Sequence, residues 1–125
     1  MDNSTSVVKV REILMVTMPA DPDDATVAAL QQNVLGAMER YAAKGVILDI
    51  SLVDTFDSFF ARTISETAQM VMLMGGRTLI VGMQPTLAVT ATQMGLALSN
   101  IETALNVDRA LDQYEITAPP RKNYR

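Results

Sequence analysis

Two short, almost wholly apolar runs set the strongest limit on the fold: Val46 to Ile50 (VILDI) and Thr78 to Gly82 (TLIVG). Apolar runs of this length are the pattern of strands buried on both faces, as in a sheet covered by helices. The residues around them have a helical period instead. Val27, Leu30, Val34, Met38 and Tyr41 recur at spacings of three and four, which places them on one face of a helix that follows the turn Pro19 to Asp24 (PADPDD) and ends at Gly45. A second helix is expected to begin near Asp57 or Ser58, to turn Phe60, Ile64, Ala68 and Val71 inward, and to stop at Gly75 and Gly76.

Pro85 suits the first turn of a third helix carrying Leu87, Ala88, Ala91 and Met94 and ending at Gly95. Ile101 to Thr103 reads as a short strand, and Asn106 or Asp108 as the cap of a last helix through Leu111 and Tyr114. Val7 to Met18 (VVKVREILMVTM) reads as two short strands or one bent strand. The order β(β)α-βα-βα-βα predicts an α/β fold: one domain with a mainly parallel or mixed sheet and about four helices packed against it. The domain is expected over 7–117, with a flexible tail at 1–6 and a polar tail at 118–125 opened by Ala118-Pro119-Pro120.

Composition limits what such a domain can do. At 125 residues, 49% apolar and 19% charged, the chain suits one hydrophobic core, and no apolar stretch approaches the roughly 20 residues that span a bilayer. Met1 to Ser6 lacks the features of a secretory signal, so a cytoplasmic location is expected. The absence of cysteine and histidine removes thiolate nucleophiles, sulfur ligands, the usual general base and the commonest metal ligand. A non-enzyme without cofactor or metal is the expectation. The ten Lys and Arg are dispersed apart from Arg121, Lys122 and Arg125, and the net charge is −4, which argues against nucleic-acid binding.

The stretch Asp49 to Arg62 joins a buried strand to a helix start, the end of an α/β sheet where sites are built. Position alone assigns Asp57 or Ser58 to helix capping, which stabilises by about 1 kcal/mol. Asp49, Asp54 and Asp57 invite comparison with a magnesium site or a receiver domain. Receiver chemistry needs an acidic pair after the first strand and a lysine after a later one, where this chain has Met18-Pro19 and Gly82-Met83. These carboxylates therefore read as solvated loop groups. Met70, Met72 and Met74 cannot all face one core from a helix, so at least one is expected to point outward, core filling being the leading role for the others.

The segment ILDISLVDTFDSFFAR resembles the signature of STAS domains, an apolar strand ending in an acid, a variable loop, and an Asp-Ser pair opening a helix. GMQPTLAVTATQMGLALSNIETAL, Gly82 to Leu105, resembles the RsbS type of that family, and the likeness runs from about Val7 to Glu115. The resemblance implies that Ser58 is phosphorylated by an RsbT-like serine/threonine kinase of the GHKL type. It implies too that the chain self-associates and co-assembles with RsbR-like STAS paralogues in a large hollow complex. That complex holds the kinase until phosphorylation releases it, and a phosphatase removes the phosphate. Asp54, Asp57, Phe59 and Arg62 are then the surroundings of the phosphosite and candidates for partner contact. Many anti-anti-sigma STAS proteins have a glycine two residues after the phosphoserine where this chain has Phe60, which counts against a direct anti-sigma role.

Charge supports such a switch. A phosphate on Ser58 adds about −1.5 to −2 charges at the positive end of a helix, which tolerates it, beside Asp54 and Asp57, which would repel a partner fitted to the neutral hydroxyl. Arg62, four residues on, can pair with the phosphate or with Glu66. Thr86 and Thr90 are secondary phosphosite candidates whose leading role is capping and back-bonding. Competing readings are a stand-alone anti-anti-sigma factor, a small carboxylate-dependent enzyme, and an architectural subunit whose Ser58 is only a cap.

Overall fold

The computed structural model describes residues 6–55, 57–93 and 101–117. The elements are β1 (Ser6–Val10), β2 (Ile13–Thr17), α1 (Asp24–Tyr41), β3 (Gly45–Asp49), α2 (Ser58–Leu73), β4 (Arg77–Val81), α3 (Pro85–Gln93), β5 (Ile101–Ala104) and α4 (Val107–Thr117). They form one sheet in the order β1-β2-β3-β4-β5. Val7 to Met18 is thus two strands, an antiparallel hairpin whose turn uses Arg11 at φ 57. The remaining pairs are parallel, with Ile47 opposite Met15 on one side and Leu79 on the other. Ser6, counted above with the tail, is the first residue of β1, and the tails at 1–5 and 118–125 lie outside the described residues.

Successive strand residues point to opposite faces, which explains why the apolar runs are unbroken. Val46 and Leu48 join the larger core with Val27, Leu30 and Val34 of α1, Phe60, Ile64 and Val71 of α2, and Leu87 of α3. Ile47, Leu79 and Val81 turn to the other face and pack with Ala110 of α4, flanked by Val107 and Leu111. Full burial of each Val, Leu, Ile or Phe among the buried ones contributes about 1.5–3 kcal/mol. Arg77 and Gln113 both donate to the Glu102 carboxylate, tying β4, β5 and α4 together. Those bonds, the Arg77 bond first, hold the Glu102 carboxyl below its ordinary range.

Several expected details are corrected. Tyr41 is 45% exposed, not inward, because α1 ends there: Ala42 takes a left-handed conformation and returns its N–H to Met38, the last buried residue of the stripe. Gly45 does not stop the helix; it is the first residue of β3. Both buried strands begin and end one residue earlier than expected, leaving Ile50 and Gly82 just beyond them. Ala88 is exposed, and Met70, Met72 and Met74 are all exposed, so none of the three fills the core. Met94 and Gly95 lie outside the described residues, as does the Tyr114 side chain. Between the two proposed caps of α4, Asn106 takes the role, accepting the Arg109 N–H at 2.9 Å.

Candidate functional site

The parallel strands β2, β3 and β4 deliver three loops to one end of the sheet, and the middle loop leads to Ser58. Hydrogen bonding carries the sheet slightly past the strands: the Ile50 N–H reaches Val81 O at 3.0 Å, and the Met18 N–H reaches Asp49 O at 3.1 Å. Ile50 and Val53 are fully buried and pin the loop to the core, while Leu52 between them is exposed. The Val53 N–H turns back to Ile50 O at 3.0 Å, and Asp49 Oδ1 accepts the Ser51 N–H at 2.9 Å.

Both neighbouring loops grip this segment. On the β4 side, Gln84 Nε2 donates to Ser51 O at 3.0 Å and to Val53 O at 3.1 Å. Gly82, at φ +76, lies so close that a Cβ there would stand 2.7 Å from Ser51 Cβ. On the β2 side, the Asp54 N–H donates to Ala20 O at 3.2 Å, and Thr55 Oγ1 to Asp21 Oδ1 at 3.2 Å.

The helix start settles which residue caps. Asp57, in extended backbone, accepts the Phe60 N–H on its side chain at 2.8 Å, and its carbonyl takes the Ala61 N–H at 3.0 Å. Ser58 is therefore the first helical residue, exposed, with its hydroxyl not needed for the cap. The first turn of α2 contains no acidic residue. Phe59 is half-buried against the core, and Phe60, the residue that replaces the expected glycine, is a buried core side chain.

Asp54 and Arg62 are exposed, and no Arg62–Glu66 ion pair occurs among the described residues. An open cavity of about 380 Å³ lies toward α4, lined by Asp49, Ser51, Gly82, Leu105 and Asp108 among others; Ser58, Asp54, Asp57 and Arg62 do not line it. Ser58 is thus exposed beside the exposed carboxylates of Asp54 and Asp57 and away from this cavity.

In α3, Thr86 is exposed, whereas the Thr90 hydroxyl donates to Thr86 O at 3.0 Å. Asp54 and Asp57 lie in the connection that leads to Ser58 at the start of α2, whereas Gln84, Gly82 and Asp21, which hold that connection, were not expected from the sequence. A glycine just past a buried strand, with a polar residue directly before a helix-starting proline, was the available signal.

The family model described as the STAS domain matches residues 4–110. In structure the chain is similar to the S58E variant of RsbS from Moorella thermoacetica, with a TM-score of 0.78 and 30% identity over 87% of this chain and 92% of that one. It is also similar to a chain in a structure of the stressosome, described as a signal integration and transduction hub, at TM-score 0.76 and 31% identity over 86% and 94% of the two chains. Among curated proteins it is 27% identical over 101 residues to the RsbT co-antagonist protein RsbRB of Bacillus subtilis, covering 81% of this chain but only 36% of that protein's length.

Proposed function

Because the chain belongs to the STAS domain family, we propose that it is a non-catalytic regulatory subunit of a stressosome-like complex that sequesters an RsbT-like serine/threonine kinase and releases it when Ser58 is phosphorylated. The observation that carries this reading is the division of labour at the start of α2: Asp57 makes the cap, so Ser58 stands exposed with its hydroxyl free of that task. Similarity at 30% and 31% identity to an RsbS variant and to a stressosome chain supports membership of such an assembly, and similarity to an RsbR-type protein supports paralogues of that class as its partners. The same relatives favour this reading over a stand-alone anti-anti-sigma factor. A phosphatase that resets Ser58 and a cytoplasmic location belong to the proposal.

The mechanism follows from charge. The first N–H groups of a helix have no partner inside it and carry partial positive charge, so a phosphate at the first helical position can be accommodated without unfolding α2. Arg62, one turn on, lies on the same helical face and offers a charge-assisted partner. Outward, the new charge adds to Asp54 and Asp57 on an exposed loop and repels a kinase fitted to the neutral surface. Thr86 stays a secondary candidate because it is exposed; the Thr90 hydroxyl is committed to back-bonding.

Mass spectrometry of the chain after incubation with the kinase and Mg-ATP tests the assignment. Phosphate on Ser58, lost in Ser58→Ala, is the expected result. Undiminished phosphorylation of Ser58→Ala would overturn it.

A further inference from the structure

Gln84 spans two loops with a single amide group. Its nitrogen donates to two carbonyls of the acceptor loop, Ser51 O at 3.0 Å and Val53 O at 3.1 Å. Only an amide nitrogen satisfies that geometry, since the amide oxygen would face two other oxygens. Gln84 is itself held in place. It precedes Pro85, which restricts its backbone to extended conformations, and its carbonyl receives the Ala88 N–H at 3.0 Å as α3 begins. The left-handed Gly82, close against Ser51, sets the separation of the two loops. The β4–α3 connection is therefore a fixed post. The loop in front of Ser58 is tied to it at Ser51 and Val53 and to the β2–α1 loop at Asp54 and Thr55, the latter bonds each being 3.2 Å.

Resting on the reading of Ser58 as the phosphoacceptor, we infer that Gln84 is a positioning residue for that phosphorylation: its two hydrogen bonds hold the acceptor loop in the one arrangement that the kinase binds. Without the Gln84 amide the loop beyond Ile50 loses both of its side-chain hydrogen bonds to the β4–α3 connection and samples conformations that cannot dock. Apparent affinity falls in proportion to the docking-competent fraction. Chemistry on a chain that has docked is unaffected. The kinetic signature is a raised KM for the protein substrate with an unchanged kcat.

The test uses the intact chain with its cognate serine kinase and Mg-ATP, comparing the parent with Gln84→Met, which keeps the length and loses the donors, and Gln84→Glu, which sets a carboxylate against two carbonyls. Loss of both bonds should speed hydrogen exchange of the Val53 and Asp54 amides about tenfold, leaving Leu48 and Ile80 in the central strands unchanged. KM should rise by up to the same factor in Gln84→Met and further in Gln84→Glu, at constant kcat. Unchanged KM in both variants overturns the inference, whether or not exchange is faster, and so does a fall in kcat at constant KM. If the parent chain takes no phosphate on Ser58, the proposed function fails and this inference falls with it. Normal Ser58 phosphorylation in a kinetically silent Gln84→Met sinks this inference alone.

Discussion

α1 and α2 begin at the same end of the sheet, and each takes its cap from an aspartate in extended backbone. Asp23 accepts the Thr26 N–H at 2.8 Å, and Asp57 accepts the Phe60 N–H at the same distance. The next residue differs: α1 continues with Asp24, which already places a negative charge in the first turn, whereas α2 continues with Ser58 and has no acid there. The approach differs as well. The loop entering α2 is fastened by Gln84, Ala20 and Asp21, all more than thirty residues away in sequence from the loop groups they hold. The cap is thus a common device of construction. What singles out α2 is a neutral hydroxyl just inside the cap, preceded by a loop held from both sides.

The comparison can be broken most severely by moving the Asp-Ser pair. Ser58→Ala should lose essentially all kinase-dependent phosphate. Asp24→Ser, which gives α1 the same pair, should stay unphosphorylated by mass spectrometry, because the loop before it lacks the two Gln84 hydrogen bonds that hold the loop before Ser58. Phosphorylation at position 24 would show that the kinase reads only a capped helix start. The next effect belongs to charge: Ser58→Asp should weaken kinase binding at least about tenfold in titration calorimetry, since like-charge juxtaposition costs several kcal/mol. Its circular dichroism and assembly with paralogues should be retained. Loss of fold together with binding would instead make Ser58 structural.

Gly82→Ala sharpens the second difference. A left-handed alanine costs about 1–2 kcal/mol, and the collision with Ser51 adds to it, so urea denaturation should show a loss of about 2 kcal/mol or more. Asp57→Ala should cost about 1 kcal/mol as an ordinary cap.

The smallest effect is acidic. The Thr26 side chain first, and then its backbone N–H, hold the Asp23 carboxyl below its ordinary value of 3.8. A depressed folded-state value means that the stabilisation is fully present above 3.8 and is lost as pH falls through the lower folded value. Thr26→Ala should return the NMR titration of Asp23 toward its ordinary position and remove that part of the acid sensitivity.

The corrected residues show where periodicity stops being informative. Tyr41 continues the spacing of Val27 to Met38, but a left-handed Ala42 ended the helix without a glycine. Ala88 fits the α3 stripe by spacing, yet among the described α3 residues only Leu87 and Ala91 are buried. Met70, Met72 and Met74 looked like partial core fillers, yet Phe60, Ile64, Ala68 and Val71 already supply the inner stripe of α2. Spacing identifies a face; it does not say how far along the helix that face stays covered.

The sequence by itself determined the α/β order, the buried central strands, and a helix that begins at Asp57 or Ser58 with one of the two as its cap, because these depend on local apolar pattern, turn residues and capping. Tertiary structure alone decided that α4 covers the face opposite α1 and α2, that Asp57 rather than Ser58 takes the cap, and that Gln84, Gly82 and Asp21 meet the loop before Ser58. The reason is register. Parallel pairing sets Asp49 beside Thr17 and Val81, and that alignment brings three loops distant in sequence within hydrogen-bonding reach.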